Sequence, residues 1–149
     1  MNKEEKDRVA RLAAHGGWIG VDFDGTLAHY DKWTGWNQFG EPIPLMVERV
    51  RAWLAEGVEV RIMTARVTVD ENEVGECYVM KEKFTGTMMA SAIQDWTEKH
   101  VGARLTVTCV KDLHMIELWD DRAVQVVANT GRTLADEHAA QIAALEGKP

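Results

Sequence analysis

Residues 17–30, GWIGVDFDGTLAHY, decide the fold. Within them an apolar run, WIGV, ends abruptly in two carboxylates, Asp22 and Asp24, and Gly25 and Thr26 follow at once. The run is apolar at every position, which is typical of a strand whose two sides are both covered by helices. Paired negative charge at the end of a buried strand needs a neighbouring group that makes this charge tolerable.

The rest of the chain alternates between helical and extended patterns. Apolar side chains recur at helical spacing before Gly57, which stands where a C-terminal helix cap is expected. Helices are predicted over residues 3–14, 43–57, 87–100 and 134–145, and strands over residues 18–23, 58–66, 104–111, 115–121 and 123–129. Residues 67–86 are less regular and are predicted to be a short insertion, for which a partly helical structure is one alternative. This order predicts a single α/β domain over residues 1–149, with a mostly parallel sheet and helices on both faces.

Composition and charge disfavour several classes of protein. The chain has 149 residues, 46% of them hydrophobic and 28% charged, as expected for one globular domain. Its formal net charge of −7 disfavours binding to duplex nucleic acid, which needs a basic surface. No apolar run approaches the roughly 20 residues that span a bilayer, and the charged N-terminus is unlike a signal peptide. The cysteines and histidines show no metal-ligand spacing. We therefore expect a cytoplasmic protein without a membrane partner.

Polar side chains follow four of the predicted strands. The first strand ends in Asp22 and Asp24, the second in Thr64 and Arg66, the third in Lys111, and the fourth in Asp120 and Asp121. Because the carboxyl ends of parallel strands lie along one edge of a sheet, we expect these side chains to converge. Aspartates brought together in this way are costly unless a cation lies between them, and oxygen ligands favour Mg²⁺. A cation, an ammonium group and a hydroxyl form a cradle for a phosphoryl group, with one carboxylate left to attack it.

The ordered motifs resemble those of the haloacid dehalogenase superfamily of phosphohydrolases. DFDGTL is followed in order by a threonine, a lysine and an acidic pair, and the resemblance extends from Trp18 to about Asn129. It implies a Rossmann-like three-layer fold. Because the insertion after Thr64 has only about 20 residues, too few for a separate lid of typical size, it also implies a minimal cap domain or none. Short phage and prophage members of the superfamily are similar in this respect.

The resemblance implies a role for each residue that matches a motif. Asp22 would be the nucleophile that forms an aspartyl-phosphate, and Asp24 the general acid and then the general base. Its environment should therefore favour the protonated form of Asp24 part of the time. Thr64 would bind the transferring phosphoryl group, and Lys111 would hold both that group and Asp22.

The resemblance also implies a magnesium site and contacts to the substrate. The metal ligands would be Asp22, Asp24 through its backbone carbonyl, Asp120 and Asp121, the last either directly or through water. Gly25, Thr26 and Arg66 are assigned to substrate binding, and an ion pair with a nearby acid is the alternative for Arg66. The long aromatic loop of residues 28–42 holds Trp33 and Trp36, which either pack the loop or stack on a ring of the substrate.

These observations predict a Mg²⁺-dependent phosphatase. Its phosphorylated substrate is open, with a nucleotide, a nucleic-acid end or another large phosphorylated molecule as alternatives. A receiver-type signalling domain that accepts phosphate on an aspartate is a second hypothesis, although such domains place their acidic pair before the threonine and lysine. A binding protein that keeps this fold without turnover is a third.

Overall fold

The computed structural model describes residues 3–67, 74–77 and 82–146. Its helices are α1 (Lys3–His15), α2 (Pro44–Ala55), α3 (Gly86–Val101) and α4 (Leu134–Glu146), and its strands are β1 (Trp18–Val21), β2 (Glu59–Met63), β3 (Val74–Cys77), β4 (Glu82–Thr85), β5 (Thr106–Thr108) and β6 (Met115–Trp119). Strands β5, β2, β1 and β6 form one sheet in this order, and all three neighbouring pairs are parallel. Strands β3 and β4 form a separate antiparallel pair. The predicted α/β fold with a mostly parallel sheet is confirmed.

The main hydrophobic core lies against one face of the four-stranded sheet. Ile19 pairs with Val60 and Val21 with Ile62, so these four buried side chains lie on the same face. Helices α1, α2 and α3 pack side chains against them, including Val9, Leu12, Val50, Trp53, Met89 and Ile93. Each large apolar side chain buried in this way stabilises the fold by about 1.5–3 kcal/mol. The core thus fixes the strand ends from which the polar side chains project.

Local sequence signals set the ends of the helices that support the sheet. Helix α2 begins at Pro44, whose missing N–H is no loss in the first turn of a helix. It ends before Gly57, which has a φ of +79° as expected of a cap. At the start of α3 the Thr85 hydroxyl accepts a hydrogen bond from the backbone N–H of Met88.

Two predicted elements differ from the structure. Residues 123–129 do not form a strand, and Val126 makes only an isolated bridge to Thr133. This segment leaves the sheet after β6. Val124 within it is 71% exposed, so its side chain does not pack against the sheet. In the insertion, the described residues 74–77 and 82–85 form strands rather than a helix, and the remaining part of residues 68–81 lies outside the described residues. Across the part of the chain that is described, no helix is both long enough and apolar enough to cross a membrane.

Candidate active site

Backbone hydrogen bonds tie the site to the carboxyl ends of the parallel strands. The N–H of Asp22, directly after β1, donates to the carbonyl of Trp119 at the end of β6 (2.8 Å). The N–H of Thr64, directly after β2, donates to the carbonyl of Thr108 at the end of β5 (2.9 Å). The chain therefore leaves both central strands, β1 and β2, at the side of the sheet where the carboxyl ends of the strands lie. Open parallel sheets bind ligands at this side.

Three carboxylates meet at this edge. Asp22, Asp120 and Asp121 each offer an oxygen, and these oxygens lie within 4.8 Å of one another. Partial burial, and next the negative charge of Asp120, raise the pKa of Asp22 from 3.8 to about 6. A hydrogen bond from the Phe23 backbone N–H acts in the opposite direction and does not offset them. The cluster is thus electrostatically strained around Asp22.

Gly25 and Thr26 support this cluster. The Thr26 hydroxyl donates to Asp22 Oδ2 (3.3 Å) and accepts from the backbone N–H of Asp121 (3.0 Å), so it links two of the three aspartates. Gly25 has a φ of +88°, and a Cβ at this position would lie 2.8 Å from Asp121 Oδ2. Only glycine combines this backbone conformation with the close approach of Asp121. Both residues, predicted to bind substrate, are seen to hold the carboxylates in place.

The side chain of Asp24 points away from the cluster to Arg66. Arg66 donates from Nε and Nη2 to the two carboxylate oxygens of Asp24, the second bond measuring 2.7 Å. Both side chains are largely buried, Arg66 to 5% exposure and Asp24 to 17%. A bidentate guanidinium stabilises an ionised carboxylate. Both carboxylate oxygens of Asp24 are therefore engaged by Arg66, whereas the predicted acid role needs one of them to carry a proton to the substrate.

Aromatic side chains of the 28–42 loop hold Arg66. Its guanidinium carbon lies 4.6 Å from the ring centre of Trp33, 5.1 Å from that of Phe39 and 6.0 Å from that of Tyr30. Such cation–π contacts are worth about 0.5–2 kcal/mol each. The loop is thereby fixed to the end of β2, and the position of Arg66 depends on it.

These groups line a pocket of about 540 Å³. Its lining among the described residues comprises Asp22, Asp24, Tyr30, Trp33, Met63, Thr64, Ala65, Arg66, Cys109, Asp120 and Arg122. Thr64 is buried, and its hydroxyl accepts the backbone N–H of Arg66 (3.2 Å) while its own hydrogen remains able to donate. The structure thus brings together the predicted residues of the first, second and fourth strand ends.

Lys111 is not brought into this pocket. It is exposed and lines a second pocket with Arg8, Glu117 and Asp120. Strands β5 and β6 are the two outermost strands of the sheet. Residues 109–114, which connect them, therefore have to pass across the whole width of the sheet. Directly after Lys111, Asp112 already accepts a hydrogen bond from Trp18 Nε1, at the start of β1 (2.8 Å). Lys111 therefore lies on the crossing segment rather than at the carboxyl end of a strand.

The acidic cluster has the chemistry of a site for a hard divalent cation. In octahedral Mg²⁺ coordination, with metal–oxygen distances of about 2.1 Å, neighbouring ligand oxygens lie about 3 Å apart and opposite ones about 4 Å apart. The three carboxylate oxygens, which lie within 4.8 Å of one another, would therefore draw closer on binding one ion. A cation would also offset the burial of Asp22 and the repulsion from the neighbouring aspartates, which together raise its pKa. Asp24 does not belong to the cluster by its side chain, since both of its oxygens face Arg66.

Comparisons with protein-family models, with curated proteins and with solved structures found no match for this chain. Function is therefore inferred from the pocket itself. Five of its lining residues were not among the site residues predicted from the sequence: Tyr30, Met63, Ala65, Cys109 and Arg122. Cys109 and Arg122 follow β5 and β6 within a few residues, which is the signal that could have identified them. Tyr30 belongs to a loop whose path no local pattern indicates.

Proposed function

We propose that the protein is a magnesium-dependent phosphomonoester hydrolase that works through an aspartyl-phosphate on Asp22. The observation that carries the proposal is the position of Asp22, at one edge of a parallel sheet, between two further aspartates and in one pocket with the buried Thr64 hydroxyl. A carboxylate is a weak nucleophile that gains from fixed geometry and from neighbouring positive charge.

In the first step a carboxylate oxygen of Asp22 attacks the phosphorus of the ester. The new bond joins phosphorus to Asp22, the ester P–O bond breaks, and Asp24 gives its proton to the departing oxygen. The Thr64 hydroxyl donates to a phosphoryl oxygen during the transfer. Thr26 keeps Asp22 in position for attack, because its hydroxyl donates to Asp22 Oδ2.

In the second step water attacks the phosphorus of the aspartyl-phosphate. Asp24 accepts a proton from this water, the bond between Asp22 and phosphorus breaks, and inorganic phosphate leaves. Asp24 has then regained the proton that it gave in the first step. Arg66 holds the Asp24 carboxylate in position through its bidentate contact.

A divalent cation bound by Asp22, Asp120 and Asp121 would neutralise the cluster and polarise the phosphoryl oxygens. The residues of the chain provide its ligands and, through Gly25 and Thr26, their spacing. Lys111 has no role in this proposal, because it lines the second pocket.

The test is phosphate release from an aryl phosphate, with Mg²⁺ and with a chelator, by the wild type and Asp22→Asn. We expect the substitution to lower kcat by at least about a thousandfold, since the amide cannot form the covalent intermediate. Asp7→Asn is the matched control, because Asp7 is exposed on α1 and lines neither of the two pockets.

Full activity of Asp22→Asn, or equal rates in Mg²⁺ and chelator, would contradict the proposal. A second measurement separates turnover from signalling. Treatment with acetyl phosphate followed by intact-mass measurement shows how long a phosphoryl group stays on Asp22. Its persistence for minutes would favour a phosphoacceptor domain.

A further inference from the structure

The pocket is much larger than a phosphoryl group. A phosphoryl group of a few heavy atoms occupies on the order of 100–150 Å³ if each atom takes up to the volume of a water molecule. The pocket has about 540 Å³, within the range of sites that enclose a whole small molecule. A substrate that fills it has a substantial group beyond its phosphate.

The part of the pocket next to the polar cluster has an aromatic wall. Tyr30 and Trp33 both line it, and both rings lie beside the Arg66 guanidinium. Trp33 is also in ring contact with Phe84 of β4, at 6.2 Å between centres. Contacts with Arg66 and Phe84 thus restrict the Trp33 ring, while Trp33 still lines the pocket, and such a restricted surface binds a planar ring at little cost in conformational entropy.

Trp36 provides an internal comparison. It belongs to the same loop and stacks on the same Phe84 ring, at 6.3 Å, but it does not line the pocket. Of the two tryptophans that the sequence offered for stacking on a substrate, the structure therefore selects Trp33.

We infer that the substrate is a free nucleoside monophosphate whose base lies against Tyr30 and Trp33. This inference rests on the proposed function and deepens it. The phosphate occupies the polar end at Asp22 and Thr64, the base occupies the aromatic wall, and the sugar spans the volume between them. The net charge of −7 favours a free nucleotide over the end of a long polyanion.

The test compares adenosine 5′-monophosphate with ribose 5-phosphate, which share the phosphate and the sugar and differ only in the base. We expect the wild type to prefer the nucleotide by about tenfold or more in kcat/KM, the effect of one base stacked on an aromatic side chain. In Trp33→Leu the preference should largely vanish, in Trp33→Phe most of it should return, and in Trp36→Leu it should remain.

A substitution that damages the whole site lowers kcat/KM for both compounds alike, so the ratio of the two kcat/KM values reports only the contribution of the base. Binding of both compounds to Asp22→Asn, measured by calorimetry, tests the inference independently of turnover. If no phosphate is released but the nucleotide binds more tightly in a Trp33-dependent way, the proposed hydrolysis is wrong and the base site stands. Equal affinity and equal kcat/KM for the two compounds would overturn the inference. So would a preference for a 5′-phosphorylated oligonucleotide over the free nucleotide.

Discussion

Replacing Asp22 by asparagine should stabilise the cation-free protein at neutral pH. Burial and the neighbouring aspartates raise the pKa of Asp22 from 3.8 to about 6, so its ionised form is unfavourable in the folded state. At about 1.4 kcal/mol for each pKa unit, the cost of ionisation at neutral pH has an upper bound of about 3 kcal/mol. Because Asp22 is only about half buried, solvent screening reduces this, and we expect about 1–2 kcal/mol.

The sign of the pH dependence follows from the direction of the pKa change. The folded state keeps the Asp22 proton to a higher pH than the unfolded state does, so folding takes up a proton between pH 3.8 and about 6. In this window the contribution of Asp22 to stability falls as the pH rises, and above it the penalty is constant. Asp22→Asn removes the penalty, so the two proteins should be nearly equally stable near pH 4 and differ most above pH 6.

Urea denaturation in the presence of a chelator measures this difference. With a slope of about 2 kcal/mol per molar urea, the midpoint of Asp22→Asn should be higher by about 0.5–1 M at neutral pH. The slopes should agree, which shows that only stability has changed. Asp7→Asn is again the matched control, since Asp7 is an exposed aspartate and its removal should leave the midpoint unchanged within error.

Adding Mg²⁺ should make the wild type more stable than Asp22→Asn. The wild type gains stability by binding the ion, whereas Asp22→Asn loses one of three carboxylate ligands and gains less. The reasoning is refuted if the variant is less stable than the wild type without cations at neutral pH. It is equally refuted if the difference between the two does not depend on pH.

Two further substitutions test the support of the cluster and the place of Lys111. Gly25→Ala should cost about 1–2 kcal/mol of stability for its positive φ and should also abolish the rise of Tm on adding Mg²⁺, because its methyl group displaces Asp121. Gly57→Ala is the control, because Gly57 has a φ of +79° and open space around the position of a Cβ. It should lose a similar amount of stability but keep the rise of Tm with Mg²⁺. An equal loss of that rise in Gly25→Ala and Gly57→Ala would contradict the role of Gly25. Lys111→Met should retain kcat/KM for an aryl phosphate within about threefold, since Lys111 lines the second pocket, and a loss of about a hundredfold would return Lys111 to the site.

The sequence was sufficient to find the residues that directly follow a strand. Asp22, Thr64 and Asp120 come within one residue of the ends of β1, β2 and β6, and parallel strands bring such residues to one edge. Their convergence needs no knowledge of side-chain packing. The same reasoning predicted the α/β fold, because apolar strands alternate with amphipathic helices.

The sequence was insufficient where the path of the chain between elements matters. The prediction for Lys111 assumed a strand over residues 104–111, whereas β5 ends at Thr108 and the chain then crosses the sheet. Which strands lie at the two edges is a property of topology, and no local pattern encodes it. The segment 123–129 has the composition of a strand, but composition does not specify a pairing partner, and in the structure the segment makes only the isolated bridge between Val126 and Thr133.

The ion pair between Arg66 and Asp24 lies directly beside the aromatic wall of the pocket. Sequence alone left open whether Arg66 binds substrate or pairs with an acid; the structure shows the ion pair with Asp24 and places Arg66 in the wall of the pocket. The guanidinium that binds Asp24 also lies 4.6 Å from the ring centre of Trp33, against which we place the base. In the proposed mechanism, the loop that contacts the leaving group therefore also contacts the arginine that binds the proton-transfer residue.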